Sequence, residues 1–145
     1  MQYLDGSCSV KICTFRFYFI FMSKHETWRT RKYWERIGGL LIEEFEAVPR
    51  SKTQARRPID GLIVLNERNA IHQGTSFDIE GKDVIVIQTK SGRIGMYLLG
   101  QAYFSKLLIE RHNPRSIKCV AICGKTDSMM EELARKHDVE IIEIS

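Results

Sequence analysis

Residues Val84–Lys90 (VIVIQTK) form an apolar run that closes on a glutamine and a lysine. Asp83 marks a turn before it and Ser91–Arg93 a turn after it, so the run reads as a buried strand. Side chains alternate along a strand, which puts Gln88 and Lys90 on one face and Thr89 on the other. A lysine in an otherwise apolar strand is costly unless its charge is paired or used. Upstream, a second apolar run, Ile59–Leu65, carries Asp60 at its start. Two such strands commit the chain to a sheet-containing fold, with its chemistry expected where the polar residues stand.

The 145 residues suffice for one domain with one sizeable core. Hydrophobic residues make up 43% and charged residues 28%, the balance of a soluble globular protein. The net charge of +4 is compatible with a polyanionic partner without requiring one. Four cysteines, Cys8, Cys13, Cys119 and Cys123, show no CxxC or Cys/His zinc spacing. A reduced, cytoplasmic setting is expected. Val10–Met22 (VKICTFRFYFIFM) is aromatic-rich but too short and too charged to span a membrane. It lacks a small-residue cleavage site. Met22 opens a stretch, SKHETWRTRKYWE, that looks like an ordinary protein start. Residues 1–21 are therefore expected to be an extension outside the core, possible start misassignment included, with an added strand or anchor as the competing reading. Residues 22–145 then form the single domain.

Trp28, Tyr33, Trp34, Ile37, Leu40, Leu41 and Phe45 recur at roughly helical spacing, which predicts a first helix over Glu26–Phe45. Gly38 and Gly39 fall inside it and are read as allowing close approach of a neighbour. Strands follow at Phe45–Val48, Ile59–Asn66 and Val84–Lys90. Glu67–Lys82 is expected to be irregular, with a turn or short hairpin. A long helix over Ile94–Arg111, a strand at Ile117–Cys123, a helix at Asp127–His137 and a strand at Val139–Ile144 complete the chain. The late strand–helix–strand pattern implies an α/β fold with a parallel crossover in a mixed sheet.

An acid at the start of one strand, beside a polar residue and a lysine on the next, can hold a divalent cation and a water. Asp60 supplies a carboxylate, Gln88 a neutral carbonyl oxygen and Thr89 a main-chain carbonyl, the hard oxygen donors that Mg²⁺ takes, with Mn²⁺ as a substitute. Lys90 can position or activate the attacking water and stabilise charge on a phosphate. Glu35, on the first helix, can reach the same site. Each residue has a plainer reading as well. Asp60 before Gly61 suits a turn, Lys90 can snorkel at a sheet edge, and Glu35 can lie on a solvated helix face beside the alternatives Glu43, Glu44 and Glu46.

"RRPIDGLIV", then "VIVIQTK", then a long helix resembles the core of the PD-(D/E)xK nuclease superfamily. The element order resembles that family's restriction-endonuclease-like αβββαβ core, here with an additional C-terminal helix and strand. A glutamate on the first helix is similar to archaeal Holliday-junction resolvases, with Glu35 the best-placed match. Glutamine at Gln88, where the second acid usually stands, is similar to the Q-x-K strand of Mrr-type endonucleases. The resemblance covers roughly Trp28 to Cys123 and implies a Mg²⁺-dependent DNA endonuclease hydrolysing phosphodiester bonds. The neutral glutamine removes one negative charge that would attract the cation. That departure motivates the alternative of an inactive nuclease-fold module that binds nucleic acid or a protein partner.

The loop Pro49–Pro58 (PRSKTQARRP) concentrates Arg50, Lys52, Arg56 and Arg57 beside the Asp60 strand. Such side chains grip phosphates without reading sequence. Arg93, just past Lys90, can serve the same face. Gln101, on the following helix, can touch a phosphate or buttress the site. No helix-turn-helix, zinc finger or RNP signature is evident. DNA is the expected partner, no membrane is expected, and a homodimer fits a reaction that cuts two strands.

Overall fold

The computed structural model describes residues 26–73 and 76–145. The expectations for residues 1–21, with Cys8 and Cys13, lie outside the described residues. The described chain is a mixed α/β fold. Three helices flank one six-stranded sheet, and that much agrees with the α/β class expected from the sequence.

Helix α1 covers residues 26–37, and the chain then turns through Gly38 and Gly39 (φ +78° and +88°) into strand β1, Leu40–Val48. The helix expected to reach Phe45 thus stops eight residues earlier. The reason is local. A Cβ on Gly39 would lie 2.6 Å from the Val64 carbonyl oxygen, so only glycine fits there. The turn is held by the Trp34 indole N–H, which donates to the Gly39 carbonyl at 2.8 Å, and by the Gly39 N–H, which donates to Asn69 Oδ1 at 2.8 Å. Leu40, Leu41 and Ile42 mimic helical periodicity because β1 is buried on both faces and gives an unbroken apolar run.

Strands β2 (Arg57–Val64), β3 (Ala70–Gln73), β4 (Asp83–Thr89), β5 (Ser116–Cys123) and β6 (Val139–Glu143) follow, with α2 (Met96–Glu110) and α3 (Ser128–Lys136) between the late strands. The sheet order is β3-β1-β2-β4-β5-β6. β1, β2 and β4 form an antiparallel meander, while β3 joins β1, β5 joins β4 and β6 joins β5 in parallel. β3 stands where an irregular segment with a turn or hairpin was expected. It is short and pairs only at the sheet edge, so its pattern is too brief to register as a strand.

The sheet separates two layers. Tyr33 of α1, with Trp28 and Trp34, packs on Leu41, Ile63, Ile85, Ile87, Val120 and Ile122. Opposite, α2 lays Ile109 on Leu62, Val84 and Val86, and Leu98 and Ala102 on Cys119 and Val139 beneath α3. Each such fully buried side chain stabilises the fold by roughly 1.5–3 kcal/mol. Gly61 lets α1 come close, since a Cβ there would lie 2.7 Å from Thr30 Cγ2. Among the described residues no helix is long and apolar enough to cross a membrane.

Candidate active site

β1 and β4 both run antiparallel to β2, so they share a direction, and β5 and β6 follow it. The ends of β1, β4, β5 and β6 and the start of β2 therefore lie at one end of the sheet. Open parallel sheets favour ligand sites outside the carboxyl ends of their strands. Asp60, the Pro49–Arg56 loop, Lys90 and Arg93 all belong to this end.

The last paired residues of β2 and β4 are Gly61 and Ile87. Beyond them β4 stays with β5, and Lys90 N–H donates to the Ile122 carbonyl at 3.0 Å. Asp60 fills the gap that opens, its Oδ2 accepting the Thr89 N–H at 2.9 Å. Burial pushes the Asp60 carboxyl up from 3.8 to about 6; the Thr89 N–H works against this, Glu26 and Glu44 add to it, and Lys90 opposes it.

Glu44 faces Asp60 across the antiparallel pair, since Glu43 pairs with Gly61 and Phe45 with Ile59. It sits in the left-handed region at φ +55°, unusual for a glutamate and a mark of local constraint. Glu44 is exposed at its edge but partly desolvated, which raises its carboxyl, opposed by Arg56 and reinforced by Glu43 and Glu26. Glu43 is buried against α1, where Arg31 donates to both its oxygens at 2.7 and 3.0 Å.

Lys90 leaves the sheet half-buried. Its Nζ lies 3.9 Å from Glu26 Oε1 at the start of α1 and 5.6 Å from the Tyr97 ring centre on α2. Gln88, two residues earlier, is buried under α2, and its amide nitrogen donates to Ser105 Oγ at 2.8 Å. The structure thus gives Gln88 and Lys90 different neighbours. Glu35 is exposed on the later part of α1, nine residues or roughly 13 Å of helix beyond Glu26. The α1 carboxylate beside Lys90 is Glu26.

Arg50, Lys52, Arg56, Arg57 and Arg93 are all exposed. Arg56 is held by Glu46 at 2.5 Å. Gln101 is half-buried, one turn before Ser105 on the same face of α2. Sequence reasoning did not single out Glu26 and had Glu44 only as an alternative to Glu35. The signal for Glu44 was the Gly38–Gly39 pair, which ends the helix and places the glutamates on the strand beside Asp60.

The donors at this end are carboxylates and main-chain carbonyls, hard oxygens of the kind that suit Mg²⁺. Among the described residues no group of three or more His, Cys, Asp or Glu side chains stands close enough to hold a metal ion by itself. Mg²⁺ is commonly held by one or two carboxylates together with substrate phosphate and water, and Asp60 matches that more modest demand. No family model, curated protein or solved structure matches the chain.

Proposed function

We propose that this chain is a Mg²⁺-dependent nuclease hydrolysing phosphodiester bonds in DNA, built on a restriction-endonuclease-like core. One observation carries the reading. A half-buried carboxylate, Asp60, stands where β2 and β4 part, accepting the Thr89 N–H, with the Lys90 ammonium close enough to perturb it. In support, α1, β1, β2, β4, α2 and β5 follow the αβββαβ order, with β3 inserted before β4 and α3 and β6 appended.

Asp60 would hold the cation, with the Thr89 carbonyl and the Gln88 carbonyl oxygen as neutral donors. When bound, Mg²⁺ supplies Lewis-acid polarisation of the phosphate and a lowered pKa for a bound water. Lys90 orients the attacking water and stabilises charge gathering on the phosphate oxygens. Glu26 aims the Lys90 ammonium. Ser105 fixes Gln88 from beneath. Arg50, Lys52, Arg57 and Arg93 grip the flanking backbone, a term that depends on salt and not on sequence.

The neutral Gln88, which brings no charge to draw a cation, favours a second reading, in which the domain binds DNA without cutting it. Supercoiled, linear, single-stranded and four-way-junction DNA incubated with Mg²⁺ or Mn²⁺, against EDTA, separates the two. Metal-dependent cutting that disappears in Asp60→Ala and Lys90→Ala supports the nuclease. Salt-sensitive binding in all three proteins with no cutting on any substrate supports the binding module.

A further inference from the structure

We propose that the outer face of α1 is a second phosphate-gripping surface, along which DNA held at Lys90 continues past Lys32 to Arg36. It rests on the DNA reading above and adds contacts which that reading does not contain. Thr30 and Tyr33 of α1 are buried against the sheet, and cations stand on the side turned away from them. At 100° per residue, Trp28, Lys32 and Arg36 follow one another in steps of roughly 40°, a row along the helix. Lys32 and Arg36 are exposed, and neither forms an ion pair among the described residues. The other cations of α1 are engaged. Arg31 donates to Glu43, and Arg29 donates to the Ile144 carbonyl at 2.8 Å. Glu35, the exposed carboxylate of α1, stands roughly 60° from Lys32 and off the row.

Like charges at i and i+4 disfavour a helix, and Lys32 and Arg36 stand in that relation. On α3 the same spacing is filled by opposite charges, Glu132 and Lys136, whose side chains meet at 3.2 Å. A phosphate between Lys32 and Arg36 cancels the repulsion that α1 otherwise carries. Trp28 fixes the aim of the first cation, since Lys32 Nζ lies 5.3 Å from its ring centre. A lysine held in this way loses less freedom when it takes a phosphate, and binding is the stronger for it.

The row also begins beside the proposed chemistry. Glu26, on the first described turn of α1, lies 3.9 Å from the Lys90 ammonium. At 1.5 Å per residue, Lys32 and Arg36 stand roughly 9 and 15 Å farther along the axis. One DNA strand carries a phosphate about every 3.4 Å of its axis, so both cations fall within about five nucleotides of a bond held at Lys90.

Fluorescence anisotropy of the full chain with duplex DNA in EDTA, between about 50 and 300 mM salt, tests the proposal. Lys32→Ala with Arg36→Ala should lower the slope of log affinity against log salt by about 1.8, at about 0.9 for each phosphate contact. Lys32→Gln with Arg36→Gln should give the same loss, and Arg36→Lys, which keeps the charge, should give none. Arg135→Ala with Lys136→Ala removes as much charge from α3 and should leave the slope unchanged. Circular dichroism melts confirm that each variant is folded. A salt-dependent wild type whose slope the α1 pairs do not lower, or which the α3 pair lowers equally, overturns the proposal and leaves the DNA reading standing. A wild type with no affinity for DNA at low salt overturns both.

Discussion

The Asp60 carboxylate accepts the Thr89 main-chain N–H at 2.9 Å, just past the last paired residues of β2 and β4. The side chain does there what a strand carbonyl would otherwise do, and it does so with a half-buried ionisable group. Its surroundings favour the proton: burial first, then Glu26 and Glu44.

That relationship sets a pH dependence. A carboxyl whose value rises from 3.8 to about 6 on folding contributes stability that is complete below about pH 4 and is lost as the pH climbs through about pH 6. Asp60→Asn keeps an oxygen for the Thr89 N–H and removes the charge. In EDTA, the variant should exceed wild type in stability by on the order of 1–3 kcal/mol at pH 7–8. The gap should close below pH 4. Urea unfolding across pH 4–8 measures it, and parallel stability curves for the two proteins would refute it.

Gly61 and Thr30 are fitted to each other at the contact between α1 and the sheet. A Cβ at Gly61 would meet Thr30 Cγ2 at 2.7 Å and Leu41 Cδ1 at 3.4 Å. Gly61→Ala should lower stability by roughly 1–3 kcal/mol through overpacking. Thr30→Ser deletes the offending methyl, so the double variant should recover part of the loss. A double-mutant cycle with no coupling would show that the two residues do not meet in this way.

The basic residues at this end are not equal. Arg56 already sits on Glu46 at 2.5 Å, whereas Arg50, Lys52, Arg57 and Arg93 are exposed. Each cation that contacts phosphate adds about 0.9 to the slope of log affinity against log salt. Arg57→Ala and Arg93→Ala should each reduce the slope for duplex DNA by about that amount, and Arg56→Ala by less. Fluorescence anisotropy between 50 and 300 mM salt reads the slopes, and identical slopes for all variants would remove the basic loop from the DNA interface.

Cys119 should be chemically silent in the folded protein. Burial pushes its thiol up to about 12, and its S–H donates to the Ala102 carbonyl at 3.1 Å beneath α2. Thiolate is the reactive form, so alkylation near neutral pH should spare Cys119 until the chain unfolds. Peptide mass mapping after brief iodoacetamide treatment, with and without denaturant, decides it. Rapid native labelling of Cys119 would mean that α2 opens readily.

The sequence carried the later half of this fold well. Strands β4, β5 and β6 and helices α2 and α3 are bounded by turn residues and lie close to where periodicity placed them. The first helix was overextended because β1 is buried on both faces, which erases the alternation that distinguishes a strand from a helix. The same error hid Glu44, whose position opposite Asp60 depends on strand pairing and not on sequence spacing. Alternation alone also gave Gln88 and Lys90 one destination. In the fold, Gln88 is bonded to Ser105, while Lys90 lies past the end of β4 among Glu26 and Tyr97. Such partners come from distant parts of the chain, and no local pattern announces them.

Single-turnover cleavage of an end-labelled DNA duplex or junction with Mg²⁺ bears most directly on the proposed chemistry. The comparison sets wild type beside Asp60→Asn, Lys90→Met, Glu26→Gln and Glu35→Ala. The account expects Asp60→Asn and Lys90→Met to lose on the order of 10²–10⁴ in rate, the range spanned by a positioned acid–base group or an electrostatic stabiliser. Glu26→Gln should lose less, and Glu35→Ala should stay near wild type. Cleavage by Asp60→Asn or Lys90→Met at the wild-type rate would contradict the assignment of this end of the sheet as the active site.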